Sequence, residues 1–263
     1  MIITKKAFFG ELVGTFLLVF FGCATVACAV VYEAFADVFS VAMLWGIGVS
    51  VAIFVSMKAS GAHLNPAMTI AFAMEKMTPW RNVPFYILAQ CLGAALATVA
   101  VFTCYQDAIT AFEVERSMVR GEESGVLTAM IFGEYYPNPA GHAAKPEVYQ
   151  ASFASAVWAE FFGTALLALV VFSVVKTDRK TIPEHAIPWI IGGALTVLIS
   201  LLSHQSMAGF NPARDFIPRL LSYFLGWGEV VFTHNGMLEC LLVYILSPML
   251  GAITGARVSR LLA

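Results

Sequence analysis

Two copies of one signature, Asn65-Pro66-Ala67 and Asn211-Pro212-Ala213, lie 146 positions apart, each after a glycine-containing turn and each opening a short apolar run. An asparagine beside an apolar run is costly in lipid, so two in matching settings point to a repeated device. Asn is a preferred helix N-cap and Pro a preferred first helical residue. Each signature therefore predicts the start of a helix, one running from Pro66 to Glu75 and the other from Pro212 to about Leu225, before Gly226. At about 1.5 Å per residue, such pieces cross only about half of a hydrocarbon layer roughly 30 Å thick. They are half-helices, and a pair of them suggests a pore.

Composition fixes the environment. Hydrophobic residues make up 59% of the 263 positions and charged residues 12%, with 21 Phe and a mean hydropathy of +0.80. A single soluble core has no use for so much apolar material. The net charge of −2 and the scattered basic residues exclude nucleic acid as a partner. The five cysteines show no metal spacing and sit mostly inside apolar stretches, which argues against a disulfide framework. Neither a cofactor nor a metal is called for.

Six apolar segments near the spanning length of about 20 residues run at roughly 7–31, 39–58, 82–104, 150–175, 187–204 and 237–257. The expected fold is all-α: six spanning helices and two re-entrant half-helices in one channel domain over 1–263, with halves at about 1–104 and 150–263 and an outer loop at 105–149. Internal similarity supports duplication, since Gly10-Glu11-Leu12-Val13-Gly14-Thr15 recurs as Ala159-Glu160-Phe161-Phe162-Gly163-Thr164. Three spans per half make the repeat inverted. Ten of the fifteen basic residues (Lys5, Lys6, Lys58, Lys76, Arg81, Lys176, Arg179, Lys180, Arg257 and Arg260) fall on one side of this scheme, which is thereby read as cytoplasmic and holds both termini. A third Asn-Pro-Ala at 138–140 has no apolar run after it and reads as a turn on the outer loop.

Opposed half-helices would bring two positive dipole ends together near the midplane, a barrier to cations. Asn65 and Asn211 can donate to a passing oxygen. The non-helical backbone of Ala62, His63, Leu64 and of Met207, Ala208, Gly209 can line the path with carbonyls, since irregular backbone at membrane depth is tolerated beside a wet cavity. Such a path suits neutral molecules bearing hydroxyls. Repeated in both halves, Glu11 and Glu160 are read as acceptors for the backbone of their own re-entrant loop, His63 as a loop anchor and Asp215 as an ionised cap at a helix start. A coupled transporter shares the inverted repeat and broken helices but needs a buried relay that the sequence lacks beyond these two glutamates.

The stretches Ser60 to Ala67 and Asn211 to Asp215, with Tyr136-Pro137-Asn138-Pro139, resemble the aquaporin superfamily and within it the glycerol facilitators. The resemblance covers about Ala7 to Arg260. It implies a homotetramer in the cell membrane with one pore per subunit, and a narrow ring formed by Trp45, Ile199, Ala208 and Arg214. Asp215, Arg219 and Tyr105 match the polyol-type choices. Ile199 and Ala208 depart from the Gly and Phe of glycerol facilitators, giving a ring more similar to the plant nodulin-type channels. Tyr244 stands where those facilitators usually show Pro. A strict water channel is excluded, because that class carries His at the position of Ile199. Glycerol with water secondary is the first expectation; urea and undissociated metalloid hydroxides stay open.

Overall fold

A computed structural model of the chain describes residues 4–148, 150–178 and 180–262, and Arg179 of the basic set therefore lies outside the described residues. Among the described residues, six helices are long and apolar enough to cross a membrane. They are α1 (Lys5–Val31), α2 (Val38–Ser60), α4 (Val83–Glu115), α5 (Phe153–Lys176), α6 (Ile187–Ser206) and α8 (Met237–Leu262). Between them, α3 (Pro66–Met74) and α7 (Pro212–Ser222) are the two half-helices, nine and eleven residues long. Their lengths come to about 14 and 17 Å.

Polar caps start the long helices where the apolar segments begin. Thr4, Asp37 and Ser152 each accept a hydrogen bond from a backbone N–H in the first turn, of α1, α2 and α5 respectively. The third span overruns its expected end at 104 by eleven residues, to Glu115, so Tyr105 lies inside α4 with its hydroxyl 3.3 Å from Cys28 Sγ. Hydropathy marks where lipid ends, and no Gly or Pro between 95 and 115 stops the helix there. Asn138 also departs from expectation, because it caps a short exposed helix, Pro139–Ala144, by accepting from Gly141 N at 3.1 Å. Asn followed by Pro nucleates a helical turn whether or not an apolar run follows.

The duplication is visible in the packing. In one half α1 lies against α2 and α4; in the other, α5 lies against α6 and α8. Each half-helix reaches across, α3 to α8 and α7 to α4. The close crossings fall at matching glycines: a Cβ on Gly93 would come 2.3 Å from the Leu12 carbonyl, and one on Gly251 2.3 Å from the Phe161 carbonyl. Small residues let helix backbones approach where no hydrophobic force draws helices together in lipid.

Candidate functional site

The two half-helices meet start to start. Asn65 Oδ1 caps α3 by accepting from Ala67 N at 2.8 Å, and Asn211 Oδ1 caps α7 by accepting from Ala213 N at 3.1 Å. Each amide nitrogen then donates across to the other half, Asn65 to the Phe210 carbonyl at 2.8 Å and Asn211 to the Leu64 carbonyl at 2.9 Å. The Leu64 carbonyl accepts from Asn211 with one of its two lone pairs, and the Phe210 carbonyl, absent from the sequence-based set, is its counterpart. An amide has two N–H groups, so each Asn keeps a second donor.

The loops before the signatures share an alternating backbone. Ala62 and Leu64 sit at φ 52° and 50°, and Ala208 and Phe210 at 63° and 51°. Such left-handed backbone turns successive N–H groups the same way, and the repeated glutamates receive them. Glu11 accepts from His63 N at 2.9 Å and Leu64 N at 2.8 Å, and also from Gln90 Nε2 at 2.7 Å. Glu160 accepts from Gly209 N at 2.8 Å, Phe210 N at 2.7 Å and Ser206 Oγ at 2.7 Å. The His63 ring lies between Thr69 and Thr78 and stacks on Phe72 with centroids 4.3 Å apart, the place of a loop anchor.

Two cavities adjoin the half-helix starts. The narrower is lined by Asn65, Asn211, Ala62, His63, Leu64, Gly209 and an apolar wall that includes Ile53, Phe72 and Leu195. The wider opens on the opposite side, beside the short helix begun by Asn138, and Met207 borders this one rather than the narrow path. Trp45, Ile199, Ala208 and Arg214 are the residues common to both linings. They stand where wide becomes narrow. Trp45 reaches in over Gly22, where a Cβ would come 2.0 Å from its ring, and the Arg214 guanidinium lies 4.4 Å from the centre of that indole.

Arg214 has a partner that sequence reasoning missed. Glu134, delivered by the segment between α4 and α5, forms an ion pair with it through Oε1 and Nη2. Asp215 and Arg219 clamp that segment. Asp215 Oδ1 accepts from Glu134 N at 2.6 Å and from Arg219 Nη2 at 2.9 Å, while Arg219 also donates to the carbonyls of Glu134 and Val231. The cap of α7 is Asn211, and Asp215 in the first turn instead ties the outer segment to α7. Glu134 is one of seven acidic residues in 105–149, and nothing local in the sequence sets it apart.

Six spans, two opposed half-helices and two cavities that share the residues Trp45, Ile199, Ala208 and Arg214 define a membrane channel of the inverted-repeat kind. The family model for major intrinsic proteins matches residues 2–258, and the chain belongs to that family. It is a multi-pass membrane protein and a channel, not an enzyme. Among its relatives, the glycerol uptake facilitator protein of Pseudomonas aeruginosa is 37% identical over 96% of this chain and 86% of its own length. A propanediol uptake facilitator of Citrobacter freundii is 32% identical, covering 98% of this chain and 92% of its own. The crystal structure of the aquaglyceroporin from Plasmodium falciparum superimposes with a TM-score of 0.79 at 25% identity, covering 96% of this chain and 93% of that one.

Proposed function

We propose that the chain is a passive channel for small neutral polyols, glycerol first and water second, that holds back ions and protons. The observation that carries this reading is the junction of the two cavities at Trp45, Ile199, Ala208 and Arg214, in a chain whose relatives are named for glycerol and propanediol uptake. One aromatic face and two aliphatic groups accept the carbon backbone of a polyol, and the guanidinium donates to its hydroxyls. Beyond the ring, the free amide N–H of Asn65 and of Asn211 takes over as donor. About half a positive charge from each half-helix start faces the same point, which disfavours a hydronium or a sodium ion while leaving a neutral triol untouched. In this reading the termini are cytoplasmic and the working form is a homotetramer in the lipid bilayer with one pore per subunit.

The test is stopped-flow light scattering on proteoliposomes with glycerol, 1,2-propanediol, urea and water, alongside a proton-current control. Glycerol entry well above that of protein-free vesicles, with no matching proton current, is the expected result. A proton conductance comparable to the solute flux would sink the mechanism.

A further inference from the structure

The stretch of α4 beyond its expected end carries Glu113, which is buried. A chain of hydrogen bonds ends on it. Trp227 Nε1 donates to Thr128 Oγ1 at 3.0 Å, Thr128 Oγ1 donates to Glu113 Oε1 at 2.6 Å, and Arg120 Nε donates to the two carboxylate oxygens at 3.0 and 2.8 Å. The Arg120 guanidinium also lies 4.4 Å from the centre of the Trp227 indole, which is fully buried. These residues join the end of α4 and the turn after it, the short helix Val126–Ala129, and the π-helical turn Tyr223–Trp227 that continues α7. A satisfied buried polar network holds its members in one arrangement. This one stands behind the clamp on Arg219, whose guanidinium donates to the carbonyls of Glu134 and Val231. Glu134 follows Thr128 along one segment and Val231 follows Trp227 along the other, so the bond from Trp227 to Thr128 ties together the two segments that receive Arg219. Arg219 is itself a residue of α7, as is Arg214. The connector after α3, 75–82, is short by comparison with 223–236 after α7, and the network is an addition to the duplication rather than part of it.

We infer that Glu113, Arg120, Thr128 and Trp227 are positioning residues for the second half-helix: they fix the outer end of α7, and through it the place of Arg214 in the ring, while touching no solute. The inference rests on the channel reading above and adds to it a determinant of selectivity that lies outside the path. Among the described residues that line the two cavities, none of the four occurs. At its start α7 is held by the bond from Asn211 to the Leu64 carbonyl, and a rod of eleven residues held at one end can tilt about that point. Asp215 and Arg219 grip it further along, but what they grip is backbone of the outer segments. That grip is as firm as the segments themselves. The charge-assisted bonds on Glu113, stronger than neutral ones, are what make them firm.

The experiment measures entry of erythritol, glycerol and water into proteoliposomes holding wild type, Glu113→Leu, Glu113→Gln or Trp227→Phe, with thermal midpoints of the same proteins in detergent. Leu deletes the acceptor of Thr128 and Arg120, Phe keeps a ring against Arg120 but deletes the donor to Thr128, and Gln keeps one acceptor oxygen. A half-helix released at its outer end holds Arg214 less firmly in the ring, and the larger solute gains first. In Glu113→Leu and Trp227→Phe the erythritol-to-water ratio should therefore rise by roughly threefold, the factor associated with one modest hydrogen bond. Glu113→Gln should recover most of the wild-type ratio. A purely structural role would lower the midpoint and the amount reconstituted and leave the ratio where it was. Glu113→Leu decides if it reaches the vesicles folded, and Trp227→Phe decides if it does not. A ratio at or below the wild-type value in the deciding variant overturns the inference and leaves the channel reading standing. Wild-type vesicles no more permeable to glycerol than empty ones would instead overturn the channel reading itself.

Discussion

Asn65 donates its amide nitrogen to the carbonyl of Phe210 at 2.8 Å, joining residues 145 positions apart and from opposite halves of the repeat. The reciprocal bond from Asn211 to Leu64 closes a two-fold lock at the centre of the path. One side chain thus caps its own half-helix, holds the other half's loop and keeps a donor for the solute.

Replacing Asn65 or Asn211 by Leu removes all three roles at once. Loss of the cap costs about 1 kcal/mol, and a buried carbonyl left without its donor about 1–3 kcal/mol more. We expect glycerol flux per folded channel to drop sharply in either variant. Unchanged flux in a correctly folded variant, measured by light scattering with the reconstituted amount checked, would contradict the path described above.

Glu160→Leu strips the acceptor from Gly209 N, Phe210 N and Ser206 Oγ together. In a membrane no water replaces it, so several kcal/mol of destabilisation is expected, at roughly 1–3 kcal/mol per orphaned group. Glu160→Gln retains one acceptor oxygen and should lose less. Thermal unfolding in detergent reads the order directly: wild type above Gln above Leu. Equal midpoints for all three would mean the loop is held by other contacts.

Arg214→Val removes a fixed positive charge from the ring and also leaves Glu134 buried without its cation. Breaking one side of a buried ion pair typically costs about 3–5 kcal/mol, so the variant should unfold at a lower temperature. Those molecules that remain folded should conduct protons or cations measurably. Adding Glu134→Gln should recover much of the lost stability, because the unpaired charge is then gone. A double variant no more stable than Arg214→Val would show that the pair is not what holds this corner.

Ala208→Phe fills the ring beside Gly209 and Glu134. We expect it to cut erythritol and glycerol passage more than water passage, since the larger solutes meet the new ring first. The comparison is the erythritol-to-water ratio in wild type and variant. A ratio left unaltered would mean that Ala208 does not border the solute path.

Much of this protein is written in local sequence. The spans follow from apolar runs long enough to cross lipid, the half-helices from Asn-Pro starts that cap wherever they occur, and the partners of Glu11 and Glu160 from their repetition in two halves that each carry a matching loop. Each depends on neighbours within a few residues or on the duplication, and both are visible along a string. The end of α4 was not legible, because hydropathy reports where lipid stops and helices continue until something breaks them. Nor was the pairing of Glu134 with Arg214, whose positions are 80 apart. Only tertiary structure selects that glutamate from the acidic residues around it, by way of the Asp215 and Arg219 clamp that lowers the outer segment into the mouth of the path. The same holds for the Phe210 carbonyl, which becomes a counterpart of Leu64 only when the inverted halves meet. Local chemistry determined the elements and their depth; long-range packing decided which polar atoms face one another across them.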